Sequence, residues 1–527
     1  MQATRIHVLR NQSLIGFCLL AIGIWLAWQI GGKIATNDLR PLAFLALGIA
    51  AFCISLVIIR NWRLGFYFFI VWLLFEDFVR KYLGNNMALF FGKDVLAALT
   101  YISLYIDVRR GKEKLFRPPF LLPLLIFIWL AAMQVFNTNS PHFLYGLLGM
   151  KVYFFYVPLM YVGYAIVRND EDLRKILVLN VGLAGVICAL GIAQAILGNS
   201  FLNPRVLAPE LQELGDLDKV TPLTNMIFNL PTSVFVSTGR FAMYLVLSTI
   251  LILGTVGFLL LYSKKSRTIS YVVFGLVGGG VLLSGARSAV VYSAISTFVL
   301  IIGFIWGAPW RQREAHRLLK AIRRVSIGAA LGLIGVFVLF PQEVAPRLNF
   351  YTETLSPDSQ AYEGSFRAWD YPVENLELAF TDPNWVWGNG TGTASLGMQY
   401  VAKILGTRPP DTWVEEGYGA LILEMGILAP VLWIIWSGFL VVSMWRVLLG
   451  LRQTRYFPIA FAAFWYAFFL LFPLTFFGLA TYQNYVGNAY LWLLVGMFYR
   501  LPELLAHSQT KSILSARSAT TRGGFAF

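Results

Sequence analysis

Apolar residues run along this chain in blocks, near 14–30, 41–59, 64–78, 88–106, 119–136, 151–167, 176–197, 241–262, 269–284, 289–307, 325–340, 416–445, 457–478 and 485–499. Most approach the ~17–25 residues that an α-helix needs to cross the hydrocarbon of a bilayer. The pattern predicts an all-α fold: a polytopic transmembrane helical bundle of about 12–14 spans, with a long extracytoplasmic loop containing amphipathic helices. The first block follows a short basic stretch (Arg5, Arg10) and lacks a clear A-x-A-like cleavage site, so it reads as a span. Block 64–78 is short, and the pair 269–284 and 289–307 could form a re-entrant hairpin. The expected division is N-terminal spans over 1–118, central spans over 119–340 with an outer loop at 198–240, a long loop at 341–415, C-terminal spans over 416–500 and a disordered tail at 501–527.

Composition narrows the class. Of 527 residues, 57% are hydrophobic and only 13% charged, with a mean hydropathy of +0.66; a soluble domain carries about 25% charged residues. A soluble enzyme of this length is excluded. Cys18, Cys53 and Cys188 each lie inside an apolar block, which excludes a disulfide framework or a Cys-rich metal site. His7, His142, His316 and His507 are scattered and give no zinc motif.

The net charge of +15 is not a nucleic-acid signature, because no basic patch is interleaved with aromatics in a polar domain. It is a topology signal. The two termini and the alternate short loops hold 28 of the 42 Lys and Arg and 7 of the 27 Asp and Glu. Short basic loops mark the cytoplasm, so both termini are expected there and the loops 198–240 and 341–415 outside. The cytoplasmic loops are too short for a nucleotide-binding domain, and no G-x-x-x-x-G-K-[ST] occurs. Chemistry is therefore expected on the outer face.

Charges at membrane depth are costly and mark function by default. On the outer half these are Glu76, Asp77, Arg80, Lys81, Lys93, Asp94, Lys151, Arg240, Arg287, Glu415, Glu416 and Glu424. Arg240 closes the first long loop in Ser237-Thr238-Gly239-Arg240-Phe241. Arg287 lies in Ser284-Gly285-Ala286-Arg287-Ser288, a turn so short that its flanking spans should pack side by side. Arginine offers a planar, permanently charged fork suited to phosphate; the plainer reading of both is snorkelling or a carboxylate pair. Lys151 could add to a cationic site, while Lys93 and Asp94 read as a structural pair.

In the second loop Pro372 can open a helix with Val373, Leu376 and Phe380 on one face, as a packing element or a lid. Arg367 precedes it. Gly388-x-Gly390-x-Gly392 lacks the spacing and preceding strand of a dinucleotide fingerprint and reads as a tight, flexible connection. Adjacent Glu415 and Glu416 repel one another at the membrane surface, so one should have a raised pKa and is a candidate general base; otherwise they are acids favoured in a first helical turn. Glu424, two turns deeper, reads as a candidate or as the partner of a span arginine. Trp369, Trp385, Trp387 and Trp413 could stack on sugars or anchor the interface.

Taken in order, these elements resemble the O-antigen ligase and Wzy-type polysaccharide polymerase superfamily over roughly residues 120–500. They are Arg240, Ser284 to Ser288, Arg367 with Trp369, the G-x-G-x-G, the pair before Gly417-Tyr418, and Glu424 to Leu428. The resemblance implies a metal-independent, inverting glycosyltransferase without cofactor, acting on undecaprenyl-diphosphate-linked glycans at the outer face of a bacterial inner membrane. It implies that Arg240 and Arg287 hold the donor diphosphate, a site to which Lys151 could add. It places the base at Glu415 or Glu416, and puts Arg367, Trp369 and Tyr418 in contact with substrate or loop. The family's base is often a histidine followed by asparagine. The glutamates here depart from that ligase pattern and tilt the reading toward a polymerase, with a ligase to lipid A-core or protein as the alternative. A flippase and a chain-length regulator are implied partners. An anion or bicarbonate transporter is the non-enzymatic alternative; such proteins place charges near the midplane and carry internal repeats, and no repeat is visible.

Overall fold

The computed structural model describes residues 40–84, 87–204, 217–262, 267–309, 337–411 and 414–522, with isolated positions between 320 and 335. The expected span 14–30, half of 325–340, and Trp413 lie outside the described residues. The first part of the chain forms α1 (Arg40–Arg60), α2 (Trp62–Leu83), α3 (Met87–Arg109), α4 (Leu121–Gln134), α5 (Phe143–Phe154), α6 (Leu159–Ile166) and α7 (Asp170–Leu197). After an antiparallel pair, β1 (Asp218–Val220) with β2 (Ile227–Asn229), come α8 (Thr238–Tyr262), α9 (Arg267–Leu283) and α10 (Arg287–Gly307). The second long loop carries α11 (Pro341–Leu355), a π-helical turn (Phe366–Asp370), α12 (Tyr371–Ala379) and α13 (Met398–Leu405). The chain closes with α14 (Gly417–Met425), α15 (Leu428–Gly450), α16 (Phe457–Leu471), α17 (Pro473–Phe477), α18 (Ala480–Gln483) and α19 (Tyr485–Arg522).

The fold is all-α and polytopic: eight described helices are long and apolar enough to cross a membrane. Two of them show how the apolar runs are used. α8 is apolar all round, and 94% of its hydrophobic window is covered by protein, so it is the central post. α15 buries Ala429, Trp433, Trp436, Leu440, Met444 and Leu448 at helical spacing, while Val431, Ile434, Phe439, Val442 and Trp445 on the other side are exposed. An exposed face this apolar needs lipid as its solvent. α6 and α19 approach backbone to backbone: a Cβ on Gly496 would stand 1.9 Å from the Met160 carbonyl oxygen, the small-residue packing typical of membrane helices.

Several expected spans are built differently. The short block 64–78 belongs to the full-length helix α2. The block 151–167 is split between α5 and α6, and 416–445 breaks at Gly426, whose φ of 80° ends α14. Pro473 and Gly478 break the segment after α16 into two short helices, so Leu474 to Tyr485 is not one continuous helix. Such backbone between spans needs protein or a cavity around it. Helices α9 and α10 do not chiefly pack on each other; both lie more extensively along α8. The tail expected to be disordered from 501 is helical to Arg522; Leu501 and Leu504 are buried in the core and Tyr164 hydrogen-bonds Glu503, which ties its start down.

Charge separates the bundle into two ends. At one, Arg63 bonds the Ile166 carbonyl at 3.0 Å and pairs with Glu113, which also holds Arg168, and Arg455 pairs with Asp170. The other end, where α2, α5, α8, α10 and α14 meet the long loops, holds nearly all the remaining buried charge.

Candidate functional site

Helix α2 explains how charge comes to lie here. Glu76, Asp77, Arg80 and Lys81 repeat at i, i+4 on one face, and none is more than 4% exposed. Each such ion costs about 2.5–3.5 kcal/mol at bilayer depth unless partnered. Asp77 accepts from Arg80 at 2.9 Å and from Arg240 at 2.8 and 3.1 Å. Lys93 meets Glu76 at 2.7 Å and Lys151 meets Asp94 at 2.7 Å. Among the described residues no carboxylate pairs with Lys81; its ammonium donates to Thr232 Oγ1 at 2.8 Å and to the Ser233 carbonyl at 2.7 Å. This pins the loop leading into Arg240. Aromatic rings cover the cations: Lys93 stands 3.6 Å from the Phe90 centroid and Arg240 4.9 Å from that of Tyr485. By formal charge, five cations thus face three carboxylates, an excess of cations over acids.

That excess borders a cavity of about 570 Å³. Lys93, Lys151 and Arg240 form its cationic wall. Met243, Tyr292, Leu474 and Phe477 form an apolar one, and the broken stretch up to Tyr485 supplies Gln483 and Asn484. Val414, Glu415 and Ala420 close the side toward α14, and Ala394 to Tyr400 the side toward the glycine-rich loop. Arg240 and Lys151 keep 26% and 21% of their side chains exposed, so both remain reachable from the cavity.

The neighbouring glutamates have different jobs. Glu416 is buried; its carboxylate accepts from the backbone N–H of Tyr418 at 2.9 Å and from that of Gly419, capping α14. Glu415 is exposed, lines the cavity, and lies against the Tyr371 hydroxyl, while its own N–H is held by Asn375 Oδ1 at 3.0 Å. Of the two, only Glu415 is placed to take a proton from a bound ligand. Tyr418 is half-buried and packs on the core away from the cavity wall.

Arg287 is not on that wall. It opens α10 with its guanidinium over Phe350 and 3.0 Å from Glu363, a carboxylate it shares with Arg367 at 3.5 Å. Ser288, the next residue, does line the cavity. The two arginines expected to grip one diphosphate therefore belong to separate clusters. Trp369 is exposed, with its ring 5.9 Å from Phe476. In α12 Val373 and Leu376 are half-buried as expected, but Pro372 and Ala379 are the buried residues, and Phe380, just past its end, is exposed.

Three further expectations are corrected. Lys93 and Asp94 do not pair with each other, since successive residues of a helix point apart and each finds a charge on another residue. Among the described residues no arginine pairs with Glu424. Its buried carboxylate accepts from Gly392 N–H at 3.0 Å, Ala394 N–H at 3.1 Å, Ser395 Oγ at 2.7 Å and Tyr153 OH at 3.0 Å. The glycine-rich segment is accordingly a packed cradle around that acid rather than a flexible connection. Gly392, at φ 88°, has no room for a side chain: a Cβ would stand 1.9 Å from the Tyr145 carbonyl. The cradle fixes Ala394 to Tyr400, one wall of the cavity. The participants underrated in the sequence are Asp77 and Lys81; their i, i+4 placement with charges in an apolar helix was the available signal. Among the described residues no cluster of His, Cys, Asp or Glu could hold a metal ion.

No protein-family model matches the chain, and a search of curated proteins finds no match.

Proposed function

We propose that the chain is a glycosyltransferase that joins lipid-diphosphate-linked glycan units, a polysaccharide polymerase working at the outer face of a bacterial inner membrane. The observation that carries this reading is one cavity whose lining combines the cations Arg240, Lys151 and Lys93, apolar side chains, and Glu415. A polyprenyl diphosphate needs all of these: cations for the diphosphate, hydrocarbon contact for the chain, and a base near the sugar. The positive loops at the opposite end of the bundle favour placing the cavity outside.

In the proposed reaction the acceptor hydroxyl attacks the anomeric carbon from the side opposite the leaving group. The new glycosidic C–O bond forms as the bond from carbon to phosphate oxygen breaks, inverting the centre. Glu415 takes the hydroxyl proton. The negative charge that collects on the departing diphosphate falls beside Arg240 and Lys151, whose positions are fixed beforehand by Asp77 and Asp94. The diphosphate is already a good leaving group, so no nucleotide is consumed.

The test uses the purified chain in nanodiscs with an undecaprenyl-diphosphate oligosaccharide. A ladder of lengthening lipid-linked glycan without other acceptor supports the polymerase. Transfer only on adding lipid A-core or a protein acceptor points to the ligase. Anion flux in proteoliposomes without any transfer overturns the enzymatic reading.

A further inference from the structure

A second cationic cluster lies outside the cavity wall, on the long loops. Lys219 of β1, Arg287 at the start of α10 and Arg367 of the π-helical turn surround one carboxylate, Glu363. Lys219 and Arg287 share the Phe350 ring, at 4.4 and 5.2 Å from its centroid, and Arg367 lies 4.6 Å from that of Tyr371. Burial and then the Arg287 charge lower the Lys219 ammonium from its ordinary value, as expected where positive charge is in excess. Unlike Asp77, this cluster's acid is open to water: Glu363 is 41% exposed and Arg367 51%. Two guanidinium forks already bracket a carboxylate here, supplied by the chain itself.

The position of the cluster connects it to the proposed chemistry. Tyr371 lies under the Arg367 guanidinium with its hydroxyl against Glu415, and Ser288 carries the Arg287 turn to the cavity rim. Trp369, two residues beyond Arg367, presents a 66% exposed ring beside the cluster's own turn. Guanidinium forks suit planar carboxylates, and an exposed indole suits the apolar face of a pyranose.

Resting on the glycan-transfer reading, we infer that Arg287, Arg367 and Lys219 form a subsite for carboxylate-bearing sugars of the acceptor glycan, occupied in the free protein by Glu363. Displacing Glu363 lets a uronate take its place, with Tyr371 relating the bound sugar to Glu415. A carrier diphosphate is the less suitable occupant, because it is held at the depth of its lipid, where the cavity has its own cations.

The experiment is direct binding to the purified full chain in nanodiscs without any lipid-linked donor, so its outcome is independent of whether transfer occurs. Tetragalacturonate and neutral maltotetraose are compared by calorimetry and by tryptophan fluorescence, with inorganic pyrophosphate as competitor. Tetragalacturonate is expected to bind at least about tenfold more tightly than maltotetraose, and Arg367→Gln and Arg287→Gln each to weaken it about tenfold, the scale of one charge-assisted hydrogen bond. Glu363→Gln should tighten it, since a competing carboxylate is removed. Arg367 is half-exposed, so its variant keeps the inference testable should Arg287→Gln misfold. Equal binding of the two sugars, indifference to Arg367→Gln, or weaker binding by Glu363→Gln overturns the inference. Pyrophosphate displacing tetragalacturonate at lower concentration than tetragalacturonate itself binds assigns the cluster to phosphate and also overturns it.

Discussion

Two clusters of like composition sit at the same end of the molecule and behave differently because one is dry and the other wet. Around Asp77 the carboxylates are at least nine-tenths buried, and each is committed to a cation that lines or supports the cavity, with only Arg240 and Lys151 partly open to it. Around Glu363 the acid itself and Arg367 are about half-exposed, so their pair competes with water, while Arg287 is more covered. A buried ion whose partner is removed is left without solvation, whereas an exposed pair contributes little to stability. The first cluster can hold a rigid cationic wall; the second can exchange partners.

The sharpest way to separate them is to remove the acid from each. Asp77→Asn leaves Arg80 and Arg240 under-compensated in the interior and is expected to cost about 3–5 kcal/mol, read as a large loss of thermal stability in detergent. Glu363→Gln should leave the unfolding temperature nearly unchanged. Similar losses from both would erase the distinction between the clusters.

Next in size are the effects on transfer. Glu415→Gln removes the proposed base and is expected to lower turnover about 10²–10⁴-fold, while its fold survives because the side chain is exposed. Arg240→Gln should lower turnover about 10²–10³-fold, as loss of one preorganised charge does, leaving Asp77 still paired with Arg80. Glu416→Ala is the contrasting neighbour: loss of the α14 cap should cost about 0.5–2 kcal/mol of stability without moving the pH profile of transfer.

The smallest effect is a pH dependence. Burial pushes the Glu363 carboxyl up, but the hydrogen bond and charge of Arg287, then the charge of Arg367, outweigh it and hold the group below its ordinary value of 4.5. Its pair with Arg287 therefore stabilises the loop above that value and is lost as the pH falls through the lowered one. The difference in loop protection between the native chain and Glu363→Gln, measured by hydrogen exchange, should be present at neutral pH and vanish in acid.

The spans were legible because twenty apolar residues in a row have few other uses, and the unusual charges, which gather at one end of the bundle, stood out against them. Arg240 and Lys151 were legible for the same reason: a cation in an apolar helix stands out. What the sequence hid was pairing. Asp77 to Arg240 and Asp94 to Lys151 join residues far apart in the chain, and nothing local distinguishes Glu415, at the cavity, from Glu416, turned into a cap. The separation of Arg287 from Arg240 was hidden likewise, because a short turn fixes where a helix begins but not which loop its first side chain meets. Glu424 misled in a different way, since backbone N–H groups folded back from the glycine-rich segment satisfy it where a guanidinium was expected.

The central claim is that the cavity holds a lipid diphosphate between its cationic wall and Glu415. A structure of the chain with a non-hydrolysable undecaprenyl-diphosphate sugar analogue tests this most directly. We expect phosphate oxygens within hydrogen-bond distance of Arg240 and Lys151, the prenyl chain along Met243 and Phe477, and Glu415 within one water of the anomeric carbon's open face. Phosphate bound away from Arg240 and Lys151, or a sugar turned away from Glu415, would contradict it.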